Sequence, residues 1–303
     1  MTFTRASALA ALLVALPSLS GAQTLLGRAD SVFTWRGPLR AGAMLTVRNH
    51  NGPIDVRPAT GTQVELRAEK RARYGNISDV AFNVGTGSSG DVTICSTFRG
   101  NDPCDRDRDG RWRDDDNGRR HVTVAMTVLV PRGTQVRVST GNGAVTVERV
   151  GGEVNATTGN GRVNVRNTEG AVRVSTGNGD VEVRDVAGAV RVTTGNGRVS
   201  VSTARGPVEA RSGNGDLDVR MTAVQASEDM TFSTGSGDVR VTLPADYNGD
   251  LDASTGNGSI SSDFDLKVEG RLSPRRVRAA IGRGGARLRL STGNGELEVR
   301  RAQ

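Results

Sequence analysis

Short stretches in which valine alternates with polar residues run along most of the chain. In the most regular part, Val172 and Val174 enclose one polar residue, and Val181 and Val183 enclose another. Alternation at a period of two puts the valines on one face of a β-strand and the polar residues on the other. No apolar pattern of helical period extends over a comparable length. The pattern therefore predicts an all-β protein made of many short strands, with valine facing a common core.

The tripeptide Gly-Asn-Gly recurs between these strands at a fixed interval. Its first five copies follow one another in equal steps and begin at Gly141, Gly159, Gly177, Gly195 and Gly213. Three later copies, the first with serine in place of asparagine, begin at Gly235, Gly256 and Gly293. A constant period of about 20 residues is the signature of stacked repeats. We expect the last and longest step, between the final two copies, to hold one degenerate coil with an insertion.

Each repeat reads as strand, turn, strand and turn. This order predicts a single-stranded parallel β-solenoid (β-helix) with flattened, two-sheet coils of about 18–22 residues. Glycine suits the turns because it accepts positive φ and close backbone approach, and asparagine because it tolerates left-handed geometry and hydrogen-bonds locally. Equivalent residues of successive coils lie about 4.8 Å apart. The turns are therefore expected to be structural rather than catalytic.

Stacking of identical turns predicts rows of like side chains along the solenoid. We expect an amide ladder that fixes the register of the coils, formed by Asn142, Asn160, Asn178, Asn196, Asn214, Asn257 and Asn294. A hydroxyl ladder is expected beside it, formed by Thr140, Thr158, Thr176, Thr194 and Ser212. The position after each turn alternates in sign, which predicts ion pairs between neighbouring coils, through Arg162, Asp180, Arg198 and Asp216.

The irregular ends of the chain read as the ends of the same solenoid. Upstream strand patterns, such as those at residues 45–47, 64–66 and 122–130, are interpreted as the first coils. An open solenoid needs covered ends to avoid edge-to-edge association, and residues 35–39 are the expected cover at the N-terminal end. At the other end, the charged pair Arg300-Arg301 is expected to discourage further strand pairing.

A leader-like segment precedes the solenoid. Arg5 is followed by the apolar run of residues 6–16 and by small residues up to Ala22, which is the layout of a secretory signal peptide. The apolar run is shorter than the roughly 20 residues needed to span a bilayer. The protein is therefore expected to be exported, not membrane-spanning, and periplasmic, associated with the outer surface or secreted. The expected divisions are a signal peptide at residues 1–22, a cap segment at 23–41 and the solenoid domain at 42–303.

A charged insertion at residues 97–120 holds a candidate metal loop and one of the two cysteines. Cys95 and Cys104 lie close together in a chain expected to be exported, which favours a local disulfide. Carboxylates at loop positions 1, 3, 5 and 12 match a calcium-binding EF-hand loop and belong to Asp105, Asp107, Asp109 and Asp116. Position 12 lacks the usual glutamate and interleaved arginines oppose a cation, so a solvated, charge-balanced insertion is the favoured alternative. No other cofactor is expected.

Other kinds of chemistry have little support in the residues. The coils between residues 136 and 230 contain no aromatic residue, histidine or lysine, which argues against a carbohydrate-active β-helix enzyme. The formal net charge is +7, and arginine is concentrated between Arg271 and Arg289, a patch that could attract an anionic glycan or a lipid headgroup. Nucleic acid is disfavoured because no aromatic residues are interleaved with these arginines for base stacking.

The strand opening at residues 45–52, the serial Thr-Gly-Asn-Gly turns and the closing residues 281–295 together resemble the bacterial putative-adhesin domain family. The resemblance covers residues 42–301 and implies a β-solenoid, export and no established catalytic residues. We therefore expect an exported, non-enzymatic, adhesin-like structural or interaction module that presents a rigid, repetitive surface to an envelope or extracellular ligand. A carbohydrate-active β-helix enzyme or a calcium-dependent binding protein is the alternative.

Overall fold

The computed structural model of the protein describes residues 27, 29–73, 75–98, 122–203, 205–224, 228–268 and 273–302. Within these ranges the chain forms 25 β-strands and one short 3₁₀ helix at Ile77–Asp79. The strands make two sheets, here called sheet A, with 13 strands, and sheet B, with 12. The central strands of both sheets pair in parallel, so the predicted all-β parallel solenoid with two-sheet coils is confirmed.

Six regular coils form the centre of the solenoid, and each contributes one strand to sheet A and the next to sheet B. Their strands are β8 (Gln135–Asn142), β9 (Val145–Glu148), β10 (Val154–Asn160), β11 (Val163–Thr168), β12 (Val172–Asn178), β13 (Val181–Val186), β14 (Val190–Asn196), β15 (Val199–Thr203), β16 (Val208–Asn214), β17 (Leu217–Met221), β18 (Met230–Ser236) and β19 (Val239–Leu243). Val154 lies in register with Val136 on one side and Val172 on the other, so the first five of these coils advance by the constant interval of the repeat, as predicted, and the step to the sixth coil is longer.

The core lies between the two sheets and is filled mostly by valine. In β12, Val172 and Val174 are buried whereas Arg173 between them is exposed. Val181 and Val183 of β13 belong to the same buried cluster from the side of sheet B. Because full burial of one valine side chain stabilises a fold by about 1.5–3 kcal/mol, the repeated alternation is enough to hold the flattened coils together.

The N-terminal part of the chain contributes seven strands, which do not all form coils in chain order as expected. They are β1 (Val32–Pro38), β2 (Met44–Asn51), β3 (Ile54–Pro58), β4 (Gln63–Ala72), β5 (Val80–Thr86), β6 (Val92–Phe98) and β7 (Val122–Val130). The coil of β2 and β3 lies beside β8 and β9, and β6 and β7 lie outside it in the reverse of the chain order. Strands β1, β4 and β5 pair antiparallel. The alternation of residues defines the faces of a strand but not its neighbour, because either pairing direction buries the same face.

The N-terminal end of the core is closed by β1 and by one buried lysine. Phe33 of β1 stacks on Phe82 of β5 with ring centroids 4.5 Å apart. Lys70 is 4 % exposed, and its Nζ donates to three carbonyl oxygens, the shortest of these bonds reaching Gly27 at 2.6 Å. Burial lowers the pKa of Lys70. The cover expected at residues 35–39 overlaps β1, which pairs with β4 and forms one edge of sheet B.

The C-terminal part of the chain departs most from the expected order. Its strands are β20 (Gly249–Asn257), β21 (Ile260–Ser262), β22 (Leu266–Val268), β23 (Arg276–Ile281), β24 (Arg287–Asn294) and β25 (Leu297–Arg301). Strand β24 lies between β18 and β20, and β25 lies between β19 and β21. The coil at 287–301 is therefore inserted between two coils that precede it in the sequence.

Two expectations about this end are consequently wrong. The described residues of the step between Gly256 and Gly293 do not form a degenerate coil, because β23 pairs antiparallel with β20 and β22 pairs antiparallel with β23. Arg300 and Arg301 do not end the array, because β25 has partners on both sides. Every coil carries nearly the same turn, so the local sequence of a coil does not show which two coils it lies between.

Candidate ligand-binding surface

The predicted amide ladder runs along one corner of the solenoid. In the central coils each asparagine Nδ2 donates to Oδ1 of the preceding asparagine at 2.7–2.9 Å, through Asn142, Asn160, Asn178, Asn196 and Asn214. Asn257 donates to Asn294 at 2.8 Å, in the spatial rather than the sequence order of these coils. The ladder is therefore confirmed as a device that aligns neighbouring coils, and Ser236 interrupts it.

The expected row of hydroxyl residues stacks in register, but its side chains point inward and bond to the backbone rather than to one another. Thr158 is 2 % exposed, and its Oγ1 donates to the carbonyl oxygen of Gly143 on the preceding coil at 3.0 Å. The same bond is made by Thr140, Thr176, Thr194 and Ser212 to glycine carbonyls of the coil before each. A buried carbonyl without a donor costs about 1–3 kcal/mol, so each hydroxyl serves the neighbouring backbone rather than another hydroxyl.

The second glycine of each turn shows why these turns are structural. Gly179 has φ +152°, and a Cβ placed on it would lie 2.0 Å from the carbonyl oxygen of Gly161. Both the backbone angle and the close approach of the preceding coil exclude a side chain. The charges next to the turns also pair as predicted, with Arg162 3.4 Å from Asp180 and Arg198 3.3 Å from Asp216.

Most of the predicted metal and disulfide residues lie outside the described part of the chain. These are Asp105, Asp107, Asp109, Asp116 and Cys104. Cys95 is buried in β6. Among the residues that the structure describes, no three His, Cys, Asp or Glu side chains are grouped to hold a metal ion, and no helix is long and apolar enough to cross a membrane. The calcium loop and the disulfide stay predictions.

The outer face of sheet B is covered by internal ion pairs. Glu182 lies between Arg184 and Arg166, the latter 3.2 Å away. Glu298 in the same way lies between Arg240, at 2.7 Å, and Arg300, at 2.5 Å. Hydrogen bonds from Arg300 and Arg240 lower the pKa of Glu298. Because each carboxylate is shared by two guanidinium groups, this face offers few uncommitted charges to a ligand.

The outer face of sheet A carries two straight rows of polar side chains. One row is rich in arginine and consists of Arg137, Asn155, Arg173, Arg191, Glu209, Thr231, Arg289, Asp252 and Arg278. The other is rich in hydroxyl groups and consists of Ser139, Thr157, Ser175, Thr193, Arg211, Ser233, Ser291, Ser254 and Arg276. In each pair of hydroxyl residues, such as Ser139-Thr140, the first faces out and the second faces in.

The arginine row ends in a cleft of about 320 Å³ on strands β20, β23 and β24. Its charged lining, here called the arginine cleft, consists of Arg278, Arg287, Arg289, Asp250 and Asp252. Asp252 lies 3.5 Å from Arg278 and 3.8 Å from Arg289. The basic segment noted in the sequence therefore contributes part of a concave site, together with two carboxylates from β20, which precedes that segment in the chain.

The described residues also form two other cavities and bury the hydroxyl of one tyrosine. A cavity of about 190 Å³ on the same face is lined by Arg173, Arg191 and Glu209 among others. A cavity of about 560 Å³ lies at the far end, over β1, β4 and β7. Burial raises the pKa of Tyr247 to about 12, with a contribution from Asp250, so this hydroxyl stays neutral beneath the sheet.

The fold and its surface define a class of protein, namely a parallel β-solenoid with structural Gly-Asn-Gly turns and polar, charged outer faces. The chain matches the family described as Toastrack DUF4097 over residues 43–300, and it belongs to that family. The resemblance inferred from the repeated turns, to an adhesin-like domain of unknown function, is thereby confirmed.

The chain is also similar to solved structures, whereas no curated protein matches it. A "putative cell adhesion protein" from Clostridium sporogenes shares 10% identity, with 89% of this chain and 100% of that chain covered and a TM-score of 0.28. A "putative adhesin" from Bacteroides fragilis shares 12% identity, with 91% of this chain and 99% of that chain covered and a TM-score of 0.45.

Proposed function

We propose that this protein is an exported, non-enzymatic binding module of adhesin type, and that the outer face of sheet A is its binding surface. The observation that carries the proposal is the pair of straight polar rows on that face. Successive strands place the residues of each row about 4.8 Å apart, and each central strand is hydrogen-bonded to a neighbouring strand on both sides. Such a surface favours a long, repetitive partner over a small molecule.

Many weak contacts on a rigid surface explain how such a module would bind. A single exposed hydroxyl or guanidinium contributes little to affinity, but contacts to one polymer chain act together once the first is made. The backbone of the sheet is ordered before binding, so no backbone conformational entropy has to be lost when a partner is bound. The outer face of sheet B is the less suitable surface, because its described residues form no comparable row of hydroxyl groups: Glu182 there lies in register with Asn164 and Ser200.

Binding is tested with the chain from residue 24 onward and a panel of immobilised polysaccharides and lipid vesicles of defined charge, with calcium or with a chelator. Replacement of the outward hydroxyls Thr157, Ser175 and Thr193 by glutamine should weaken binding to whichever polymer is retained. Replacement of Ser200 and Ser202 on the outer face of sheet B by glutamine is the matched control and should leave binding unchanged. Equal loss from both sets would contradict the choice of sheet A.

Export is tested on the full chain produced in a bacterial host. We expect the protein in the extracytoplasmic fraction, with a mature N-terminus at residue 23 or 24 determined by mass spectrometry. Deletion of residues 2–16 should retain the protein in the cytoplasm. A full-length chain found in the cytoplasm with its first residues intact would refute the proposed location.

A further inference from the structure

We propose that the arginine cleft binds an acidic sugar residue within a polysaccharide chain. This inference rests on the proposed binding function and names the chemical class of its ligand. The cleft volume of about 320 Å³ falls at the lower end of the roughly 300–1,000 Å³ found for small-ligand sites, which suits a single ring of a longer polymer.

Two arginines of the cleft are held less tightly by internal partners than Arg173, Arg191 and Arg211 on the same face. Arg278 and Arg289 lie 3.5 and 3.8 Å from Asp252, whereas Arg191 is held by Glu209 at 2.6 Å. Tight charge-assisted bonds have lengths of about 2.7–2.9 Å, so the two guanidinium groups around Asp252 keep N–H donors for another oxygen anion.

Arg287 adds a third guanidinium group to the cleft. Its backbone N–H donates to Asp229 at 2.9 Å, and its side chain makes no ion pair among the residues that the structure describes. The lining of the cleft thus contains three arginines and two aspartates, an excess of one positive charge. A carboxylate or sulfate group would balance that charge and accept the free N–H donors.

The two aspartates explain why a sugar fits better than a simple anion. Asp250 and Asp252 project from the same face of β20, and their carboxylates are hydrogen-bond acceptors. They repel phosphate or another compact anion, but they accept hydrogen bonds from hydroxyl groups. An acidic sugar carries hydroxyl donors and one anionic group on the same ring. The hydroxyl donors match the two aspartates of the cleft, and the anionic group matches the three arginines.

The cleft is rigid and opens onto the hydroxyl row. The turn after β23 is tied down by the bond from the Arg283 N–H to Asn248 Oδ1 at 2.9 Å. Beside the cleft, Ser254 lies in register with Ser291, whose hydroxyl donates to Ser233 at 2.9 Å. A sugar next to the acidic residue can therefore meet the hydroxyl groups of Ser254, Ser291 and Ser233.

A lipid headgroup is the less suitable source of the anion. Stable association with a membrane usually combines attraction to anionic headgroups with apolar side chains that enter the acyl region. The apolar residues of the cleft lining, Leu251 and Ala279, are 2 and 4 % exposed and so cannot insert. The chemistry of the cleft favours a soluble, hydroxylated and anionic polymer.

The experiment measures binding of polygalacturonate, neutral galactan, inorganic phosphate and anionic phosphatidylglycerol vesicles to the chain from residue 24 onward. Arg287→Gln/Arg289→Gln should lower the affinity for polygalacturonate at least about tenfold, as the loss of hydrogen bonds to a charged group implies. Arg173→Gln/Arg191→Gln removes the same charge from the arginine row outside the cleft and, as a change at the edge of the binding surface, should lower the affinity by only about threefold. Circular dichroism and melting curves confirm that each variant is folded.

A second variant gives the proposal a readout that charge alone would not produce. Asp250→Asn should weaken the binding of polygalacturonate, because one carboxylate oxygen that accepts a hydrogen bond from a sugar hydroxyl becomes an NH2 donor. The same variant should strengthen the binding of inorganic phosphate, because a negative charge is removed from the cleft. If this variant strengthens both, the cleft is a simple anion site and the sugar assignment is wrong.

The remaining outcomes separate this inference from the proposed function. Retention of polygalacturonate that is equally sensitive to both arginine pairs would overturn the cleft while leaving the outer face of sheet A as a binding surface. Retention of vesicles alone would overturn the sugar and assign the anion to lipid. No retention of any polymer or vesicle would refute the proposed function itself.

Discussion

Replacement of Gly179 by alanine tests the physical reason for the repeated glycine more sharply than any other single change. The new Cβ would lie 2.0 Å from the carbonyl oxygen of Gly161 and 2.5 Å from its carbonyl carbon, both on the backbone of the preceding coil. The residue would also keep φ near +152°, a region that side chains rarely adopt. Neither neighbour is a flexible side chain that could move away.

The expected loss of stability is the sum of two separate penalties. A residue other than glycine held at an unfavourable positive φ costs about 1–3 kcal/mol. Overpacking against a rigid neighbour costs about 1–3 kcal/mol as well. The free energy of unfolding should therefore fall by about 2–6 kcal/mol. Because 1 kcal/mol corresponds to about 2–4 °C in a large domain, the melting temperature should fall by about 4–24 °C.

Three other glycines provide controls that separate the two penalties. Gly133 has φ +76° with no atom within 4 Å of a Cβ placed on it, so its alanine variant carries only the backbone penalty. Gly177 has no positive φ, but its Cβ would lie 2.6 Å from the carbonyl oxygen of Gly159, so it carries only the packing penalty. Gly61 carries neither and should be neutral or slightly stabilising.

Thermal unfolding of the four variants by far-UV circular dichroism gives the answer directly. The expected order of melting temperature is Gly61→Ala highest, Gly133→Ala and Gly177→Ala intermediate, and Gly179→Ala lowest. If Gly179→Ala melts no lower than Gly133→Ala, close stacking of the coils is not the reason for this glycine, and the structural account of the turn fails.

Three further predictions concern the ladders and the buried end. Asn178→Asp removes one donor from the amide ladder and should lower stability by about 0.5–1.5 kcal/mol in a denaturant titration at pH 7, less at a pH where the new carboxyl is protonated. Glu298→Gln should lower the free energy of unfolding by up to about 1 kcal/mol at pH 7. Because folding lowers the pKa of Glu298, the stability difference between the two proteins is fully present above pH 4.5, the ordinary pKa of glutamate. It should vanish as the pH falls through the lowered pKa. Lys70→Met leaves three carbonyl oxygens, one of them in a buried hydrogen bond, without their ammonium donor and should lower the free energy of unfolding by about 2–4 kcal/mol in a denaturant titration. Lys267→Met, at an exposed position, should lower it little.

The regular centre of the fold is predictable because the same interaction recurs in every central coil. The alternation of Val172 and Val174 with polar residues defines the inner face, and the fixed interval places Asn160 beside Asn178. Each prediction there depends only on neighbours one coil away. For that reason the amide ladder and the Arg162–Asp180 ion pair can be inferred without the structure.

The direction of the threonines is also encoded in the sequence, although polarity alone points the other way. Val136 and Val138 face inward, and the same period of two puts Thr140 inward as well. A row of hydroxyl groups bonded to one another is inferred only if the polar character of threonine is given more weight than the period of two in the strand. The partner of Thr140 is the carbonyl oxygen of Gly52 on a distant segment, and that acceptor becomes visible only when the coils are stacked.

The order of the outer coils and the arginine cleft could not be predicted from the chain. Asp252 meets Arg278 and Arg289 only because β20 lies between β23 and β24. Nearly identical turns allow a coil to pair with several others at similar energy. The choice among them depends on the connecting segments and on long-range packing, which leave no periodic signal in the residues.

The inserted coil at 287–301 also determines how the solenoid would bear a mechanical load. In an array that follows chain order, a pull on the last strand peels it from a single neighbour, one hydrogen bond after another. Here a pull at Arg301 loads β25 against β19 along its whole length and against β21 at residues 297–299, and the preceding strand β24 pairs with β18 and β20. Because the last coil lies between two other coils, its strands have to slide past their neighbours when the C-terminal end is pulled, and many backbone hydrogen bonds have to break together.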